Sequence, residues 1–204
     1  MTQSVSRLKK RLICCLTLQN QLLVQSELFS RYRPIGKAAI AIEFMTKWDI
    51  DEIVILDITA TAEKRSPDLG FISQVSKNCF VPLTIGGGIR SVDDIYSVIR
   101  GGADKVCINR AAFNTPEIIT QGADAFGSQS IVVSIDAKIN PQGTYEVFLD
   151  SGKTATGQDP VTYAKKVEAL GAGEIFLNAI HRDGTREGHD LDLISQVTKA
   201  VQIP

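Results

Sequence analysis

The chain has little excess charge of either sign and no long apolar run. Its 204 residues include 22 Lys and Arg against 23 Asp and Glu, so no basic excess points to nucleic acid. A membrane-spanning helix needs about 20 consecutive apolar residues, and no apolar stretch of the sequence approaches that length. The apolar run behind the basic segment 1–12 is too short for a secretory signal peptide. We therefore expect one folded domain over residues 1–204, with no membrane or nucleic-acid partner.

Cysteine and histidine are scarce and show no metal-ligand spacing. The four cysteines are Cys14, Cys15, Cys79 and Cys107. They form no CxxC pair, and most lie in apolar strand-like runs, which favours buried free thiols in a reducing cytoplasm. His181 and His189 have no matching ligands nearby in the sequence, so no metal or other cofactor is expected. We interpret His181 as an exposed loop residue.

Apolar strand-like runs alternate with amphipathic helix-like segments, a pattern typical of a parallel α/β fold. The predicted strands are residues 12–18, 52–57, 83–85, 105–108, 130–136 and 174–179. The predicted helices are residues 38–47, 68–77, 92–100, 116–125 and 160–169. Ser91, Thr115 and Asp159 are predicted helix caps. Residues 140–143 are predicted to turn the chain between two paired strands, 132–138 and 145–149.

Three consecutive glycines, residues 86–88, follow the predicted strand at 83–85. Without a Cβ, their backbone N–H groups can approach an anion closely at the end of a parallel strand. The next strand ends at Asn109, a polar residue that can face the same anion. An isolated glycine run would favour a tight loop. Together with the Asp-Gly-Thr run at 183–185, however, it favours a phosphate site on a (β/α) barrel.

The sequence repeats itself at a spacing of about 120 residues. Residues 51–61 resemble the segment beginning at Gly173 at an offset of 122. Residues 12–19 resemble the segment around 132–139 at an offset of 119, which aligns Thr17 with Asp136. Two similar halves are typical of a TIM (β/α)8-type barrel, which has about 250 residues. We therefore expect a barrel that stops after about six βα units, with the seventh and eighth units missing.

Eight motifs, in this order, resemble the cyclase subunit of imidazole glycerol phosphate synthase. They are RLICCL, DEIVILDIT, IGGGIR, GGADKVCIN, FGSQSIVVSIDAK, SGK, GAGEIFL and RDGT. The resemblance covers the chain from about Arg11 onward and identifies it as a member of this family or a close paralogue. It implies a cofactor-free lyase of histidine biosynthesis with a (β/α)8 barrel. Such an enzyme takes ammonia from a glutaminase partner in a heterodimer and cleaves and cyclises a phosphorylated substrate.

The resemblance also implies roles for individual residues. The family's two catalytic carboxylates correspond to Asp136 and to Thr17, whose hydroxyl cannot replace a carboxylate as a general base. Arg110 stands where the family usually has threonine, and its guanidinium can still bind phosphate through paired hydrogen bonds. The residues expected to bind the substrate and its phosphates are Gly88, Asn109, Arg110, Asp183, Gly184, Thr185, Asp57 and Lys138.

Four charged residues correspond to a ring at the mouth of the family's barrel, where ammonia enters. They are Arg11, Glu52, Lys105 and Glu174. A single charge at a strand start is ordinarily a solvated surface residue, but four alternating charges could close into a salt-bridged gate. Asp104 and Gln129 correspond to positions that face the glutaminase. The resemblance therefore implies a retained ammonia route and partner.

Three functions remain open from the sequence. The first is the ammonia-dependent lyase/cyclase itself. The second is a paralogue that uses the same ammonia route to amidate a sugar in surface-polysaccharide synthesis. Thr17 favours this alternative, as does Gln25, which stands where the family has lysine. The third is a non-catalytic barrel that binds and activates the glutaminase, against which Asp136 and the glycines at 86–88 count.

Overall fold

The computed structural model describes residues 10–204, in which most strands of the main sheet are separated by helices. The strands are β1 (Ile13–Gln19), β2 (Leu22–Glu27), β3 (Arg31–Lys37), β4 (Glu52–Asp57), β5 (Leu83–Gly86), β6 (Lys105–Ile108), β7 (Ile131–Ile139), β8 (Tyr145–Leu149), β9 (Thr154–Ala155) and β10 (Glu174–Ala179). The helices are α1 (Ala38–Lys47), α2 (Leu69–Ser76), α3 (Val92–Arg100), α4 (Arg110–Asn114), α5 (Glu117–Phe126), α6 (Pro160–Ala169) and α7 (Leu191–Thr198). Within the same residues, no helix combines the length and apolarity needed to cross a membrane.

Six strands form the parallel part of one sheet, in the order β1-β4-β5-β6-β7-β10. Two antiparallel hairpins extend it: β2 and β3 continue from β1, and β8 and β9 continue from β7. Hydrogen bonds between the described strands do not close the sheet. Arg11, just before β1, nevertheless contacts Glu174 at the start of β10. The sheet therefore curls until its first and last parallel strands face each other, which is compatible with the predicted TIM-type barrel.

The predicted internal repeat is present in the geometry. Helix α7 begins and ends 122 residues after α2. The backbone N–H of Ile53 donates to the carbonyl of Pro82 (3.0 Å), and that of Ile175 donates to Pro204 (2.8 Å) at the same offset. The segment that ends in Pro204 thus runs beside β10 as the segment before β5 runs beside β4.

The buried core lies between the sheet and the helices. Fully buried residues from successive helices include Ile42, Ile72, Ile95, Ile119, Val167 and Leu193. In β1, Leu16 and Leu18 belong to this core. Because side chains alternate along a strand, Thr17 points to the opposite side, into the interior of the curled sheet.

Two local expectations are wrong. Thr115 does not cap a helix with its side chain: its backbone N–H closes α4 by donating to Ala111 (2.8 Å), and α5 begins after Pro116 without a side-chain cap. Cys15 is exposed rather than buried, because it alternates with Leu16 and faces the interior of the sheet instead of the helices. Ser91 and Asp159 do cap α3 and α6 as predicted.

Candidate active site and charged ring

Asp136 is a buried carboxylate near the carboxyl end of β7. Its Oδ1 accepts hydrogen bonds from Asn178 Nδ2 (2.7 Å) and Ser134 Oγ (3.2 Å). Its Oδ2 accepts a hydrogen bond from Asn109 Nδ2 (3.1 Å), so both oxygens have an amide donor. Burial raises the pKa of Asp136 to about 6, although these hydrogen bonds favour the charged form and lower it. A carboxyl group in this range can both accept and return a proton near neutral pH.

Thr17 occupies the equivalent place in the first half of the sheet. Ile13 pairs with Glu52 in the first half, and Val132 pairs with Glu174 in the second. Four residues further on, Thr17 pairs with Leu56 and Asp136 pairs with Asn178. The second half therefore pairs a carboxylate with an amide, where the first half pairs a hydroxyl with an alkyl group. Of these two pairs, only the second contains an ionisable side chain.

The glycine run after β5 packs tightly against the loop that follows β4. A Cβ on Gly88 (φ +76°) would lie 2.6 Å from the carbonyl oxygen of Arg65. A Cβ on Gly87 would overlap the carbonyl oxygen of Asp57. The side chain of Asp57 in turn accepts hydrogen bonds from Thr59 N (3.0 Å) and Arg65 Nη2 (2.9 Å). Packing alone therefore requires glycine at positions 87 and 88. Asp57 holds the loop in shape.

Two cations contact the turn after β8. Arg110, the first residue of α4, donates from Nη1 to Asp150 Oδ1 (2.9 Å). Lys138 donates from Nζ to the carbonyl of Gly152 (2.9 Å), and its ammonium lies 4.1 Å from the centre of the Phe148 ring. Arg110 is half exposed, which leaves its guanidinium accessible to a ligand.

Asp183 holds the tip of the hairpin formed by β2 and β3. Its Oδ2 accepts hydrogen bonds from Ser26 Oγ (2.6 Å) and Phe29 N (3.2 Å), and its carbonyl accepts one from Leu28 N (2.9 Å). Leu28 and Phe29 both have positive φ, which is costly for bulky side chains, so these bonds hold a strained tip in place. Gly184 allows the close approach, because a Cβ there would overlap the carbonyl of Ser26.

Thr185 lies apart from this tip. Its Oγ1 donates to the carbonyl of Arg182 (3.0 Å), which closes the turn after β10. Among the residues predicted to bind substrate, Asn109 is hydrogen-bonded directly to Asp136. Arg110 and Lys138 are hydrogen-bonded to the turn after β8, and Asp183 is hydrogen-bonded to the hairpin of β2 and β3.

Four alternating charges form a closed ring at the opposite end of the sheet, where the strands begin. Arg11 donates to Glu52 (2.9 Å) and to Glu174 (2.7 Å). Lys105 lies 2.9–3.0 Å from the carboxylate oxygens of both glutamates. Glu52 is nearly inaccessible, with a side chain 2% exposed, and also accepts a hydrogen bond from Thr84 Oγ1 (2.9 Å). The predicted salt-bridged arrangement is therefore present in the geometry.

The ring perturbs one of its own carboxylates. Burial alone would raise the pKa of Glu174, but hydrogen bonds from Lys105 and Arg11 outweigh it and lower the pKa below the ordinary value. Near this end, Asp104 Oδ2 accepts a hydrogen bond from Leu83 N (2.8 Å). Gln129 is exposed, and its amide donates to the carbonyl of Phe126 (3.2 Å).

His181 is partly buried, and its interpretation as an exposed loop residue is wrong. Its Nε2 lies 2.8 Å from Asp190 Oδ2, and the hydroxyl of Tyr145 donates to the same carboxylate (2.8 Å). Asp190 also caps α7 by accepting a hydrogen bond from Leu193 N (3.0 Å). This cluster joins β8 to the loop before α7 and involves none of the predicted site residues.

Comparison with known proteins identifies the family. The family model described as "Histidine biosynthesis protein" matches residues 11–204. The chain belongs to the histidine biosynthesis protein family. The match spans both the charged ring and the residues around Asp136.

Two curated members of the histidine biosynthesis protein family are similar over almost the whole chain. One is the "Putative imidazole glycerol phosphate synthase subunit hisF2" of Vibrio vulnificus (strain YJ016). It is 45% identical over 97% of this chain and 72% of its own length. The other is the "Imidazole glycerol phosphate synthase subunit HisF" of Clostridium botulinum (strain Okra / Type B1). It is 41% identical over 96% of this chain and 78% of its own length.

The sequence reasoning missed several residues of the candidate site. Asn178, Ser134 and Ser26 were not singled out, although each contacts a predicted residue. The repeat contained a signal for Asn178, because it lies four residues after the ring glutamate Glu174 and so on the same face of β10. Asp150 had no comparable signal, since its contact with Arg110 depends on how the β8 turn folds back.

Proposed function

We propose that this chain is the lyase/cyclase subunit of an imidazole glycerol phosphate synthase in histidine biosynthesis, and that it uses ammonia supplied by a glutaminase partner. Its membership of the family and the names of its two relatives support the reaction class. The single observation that most supports the proposal is the closed ring of four charges at one end of the sheet, with a buried carboxylate toward the other end. This arrangement suits a small nucleophile that enters at one end and reacts at the other.

In this proposal Asp136 is the general acid and base of the reaction. It would accept a proton as ammonia attacks and return it during ring closure and cleavage. Its pKa of about 6 leaves most of it ionised at neutral pH while keeping it a competent proton acceptor. Thr17 has no such capacity and would contact substrate only through its hydroxyl.

The ring of Arg11, Glu52, Lys105 and Glu174 would control the passage of ammonia. All four side chains are mutually paired, so the ring presents no unpaired charge to a neutral molecule. The glutaminase would bind at this end, beside Asp104 and Gln129.

Phosphate groups of the substrate would bind at the other end, near the carboxyl ends of the strands. Gly88, Asn109 and Arg110 would bind one of them, with Arg110 leaving Asp150 to do so. Asp183, Gly184 and Thr185 would lie beside the second, and Lys138 and Asp57 would support the site from β7 and β4. The half-exposed guanidinium of Arg110 is the observation that favours this end.

Turnover of the histidine-pathway substrate tests the proposal. The purified chain is incubated with the phosphorylated ribonucleotide and high ammonium, and the two products are separated by chromatography. We expect turnover that requires Asp136 and is lost in Asp136→Asn, with Thr17→Val as the matched control at the equivalent position. Added family glutaminase should replace ammonium with glutamine, and Arg11→Ala should weaken only the glutamine-dependent rate.

A specific observation favours a second candidate function. The first half of the sheet has Thr17 opposite Leu56 where the second half has Asp136 opposite Asn178. A paralogue that amidates a sugar would retain the ring but require less acid–base chemistry in the first half. The turnover assay with the histidine-pathway substrate distinguishes these two candidate functions. If the natural chain is inactive and Thr17→Asp with Gln25→Lys restores turnover, the sugar-directed function is favoured.

A further inference from the structure

Asn178 makes the shortest contact to the buried carboxylate. Its Nδ2 lies 2.7 Å from Asp136 Oδ1, and the two residues are direct register partners on β10 and β7. On the other side Asn109, the residue directly after β6, donates to Oδ2 (3.1 Å), and its amide also donates to the carbonyl of Ser134 (3.1 Å). The carboxylate is thus held between amides from both neighbouring strands, which fixes the plane of its two oxygens.

The duplicated sheet provides an internal comparison for this arrangement. The residue equivalent to Asn178 is Leu56, which faces Thr17. An amide therefore stands opposite the residue that is ionisable, and an alkyl group stands opposite the residue that is not. This pattern is expected if the amide serves the carboxylate, because a buried ionised carboxylate without donors is strongly disfavoured.

We propose that Asn178 is a positioning residue for Asp136: it orients the carboxylate and keeps it ionised at neutral pH, while Asn109 fixes the second oxygen. The inference deepens the proposed function, since it assigns Asn178 to the acid–base step of that reaction. Asn178 needs no contact with substrate for this role, because it acts through Asp136.

Other ionisable groups near Asp136 cannot replace this contribution. Asp183 raises the pKa of Asp136 through its negative charge and so opposes ionisation. Cys107 and Tyr32 also interact with the charge of Asp136, and burial raises the pKa of both, so they stay neutral near pH 7. The positive charge of Lys138 is directed to Gly152. Donation from neutral amides and from Ser134 is therefore what favours the ionised form.

The test measures the titration of Asp136 directly, by carbon-13 NMR of its carboxyl group, assigned with Asp136→Asn. Asn178→Leu keeps the size of the side chain and removes the donor, and it copies the residue found at the equivalent position 56. We expect its Asp136 midpoint to rise by about one pH unit, a tenfold change in proton affinity. Asn178→Thr, which retains a donor, should shift it less. The reciprocal variant Leu56→Asn is the matched control and should leave the Asp136 midpoint unchanged.

Two results would overturn the proposal: an unshifted Asp136 midpoint in Asn178→Leu, or an equal shift in Leu56→Asn. Should Asn178→Leu fail to show a cooperative melt, the isosteric Asn178→Asp replaces it. That variant should raise the midpoint further still, because two adjacent carboxyl groups share one proton. An unshifted midpoint in Asn178→Asp would equally overturn it. The NMR titration requires no substrate. It therefore tests the role of Asn178 even if the chain does not turn over the histidine-pathway substrate. Where turnover is found, the acid limb of its kcat/KM profile should move in the same order as the midpoints.

Discussion

Thr17 and Asp136 occupy the same position in the two halves of the barrel, each four residues beyond a residue paired with a ring glutamate. The symmetry is one of backbone only, since Asp136 is hydrogen-bonded on both oxygens while Thr17 faces Leu56. These two equivalent positions therefore carry one ionisable side chain rather than two.

The first prediction concerns this asymmetry. Asp136→Asn should lower kcat by at least about a hundredfold, since a positioned general base contributes that much or more. Thr17→Val keeps the shape of the side chain and should change kcat by less than about fivefold, because general-base catalysis does not depend on a hydroxyl. Steady-state rates at saturating ammonium measure both. Equal losses in the two variants would show that Thr17 takes part in the chemistry.

The second prediction concerns the stability of the native state. Burial raises the pKa of Asp136 from 3.8 to about 6, so the native chain holds its proton at pH values where the unfolded chain has released it. Stability is therefore favoured below the unfolded pKa and lost as pH rises through the folded pKa. Relative to wild type, Asp136→Asn should gain about 2.5 kcal/mol in free energy of unfolding between pH 4 and pH 8.

Urea unfolding of both proteins at each pH gives the difference in free energy of unfolding between variant and wild type. The change in that difference between pH 4 and pH 8 is the quantity of interest, because any pH-independent effect of the amide cancels. Thr17→Val provides the control, as its difference from wild type should not depend on pH over the same range. A pH-independent difference for Asp136→Asn would mean that the carboxyl group titrates near its ordinary value.

The third prediction concerns the charged ring. Lys105 pairs with both glutamates and is the more buried of the two ring cations, with a side chain 13% exposed against 39% for Arg11. Lys105→Met should lower the free energy of unfolding by about 3 kcal/mol, because it leaves buried carboxylates facing each other. Lys47→Met is the matched control. It removes a surface pair with Glu43 whose lysine is 64% exposed, and it should leave the free energy of unfolding almost unchanged because solvent screens the pair.

The pH dependence of the ring has the opposite sign to that of Asp136. The pKa of Glu174 is lowered, so its contribution is fully present above the ordinary value of 4.5 and is lost as pH falls through the folded pKa. Lys105→Met should therefore lose less stability on acidification than wild type. Urea midpoints measured below about pH 4.5 should converge for the two proteins. Parallel curves down to pH 3 would contradict the assignment.

Much of the sheet could be predicted from the sequence because its periodicity is strong. The strands at Glu52–Asp57, Lys105–Ile108 and Glu174–Ala179 have the predicted bounds, as do α1, α3 and α6. The hairpin of β2 and β3 was missed, because Arg31–Lys37 is almost entirely exposed and contains Pro34 and Gly36, which are poor strand formers. Local pattern contains little information about a strand that is held by pairing alone.

The candidate site was predictable only where a residue type was diagnostic. The family resemblance implied the four ring charges and Asp136, and the repeat aligned Asp136 with Thr17. The contacts of Asp183 with the first hairpin and of Arg110 with Asp150 join residues 157 and 40 positions apart. Such pairings depend on tertiary packing, which no local sequence pattern specifies.

The last prediction concerns how the site would select an anionic substrate. Arg110 pairs with Asp150, whose second oxygen accepts a hydrogen bond from Thr154 Oγ1 (2.8 Å). The guanidinium is half exposed, and exposed pairs of this kind contribute no more than about 1 kcal/mol, so a phosphate can displace Asp150. Asp150→Asn should lower KM for the phosphorylated substrate by about threefold, because a bound phosphate no longer competes with a carboxylate for Arg110.

A double-mutant cycle decides whether this effect acts through Arg110. Arg110→Ala should raise KM at least about tenfold with little change in kcat, as expected for binding that is equal in the ground and transition states. In the Arg110→Ala background, Asp150→Asn should then have no further effect, because the competitor has lost its cation. If Asp150→Asn instead raises KM in both backgrounds, Asp150 contacts the substrate itself or holds the β8 turn in its active shape. The pairing with Arg110 would then not determine affinity.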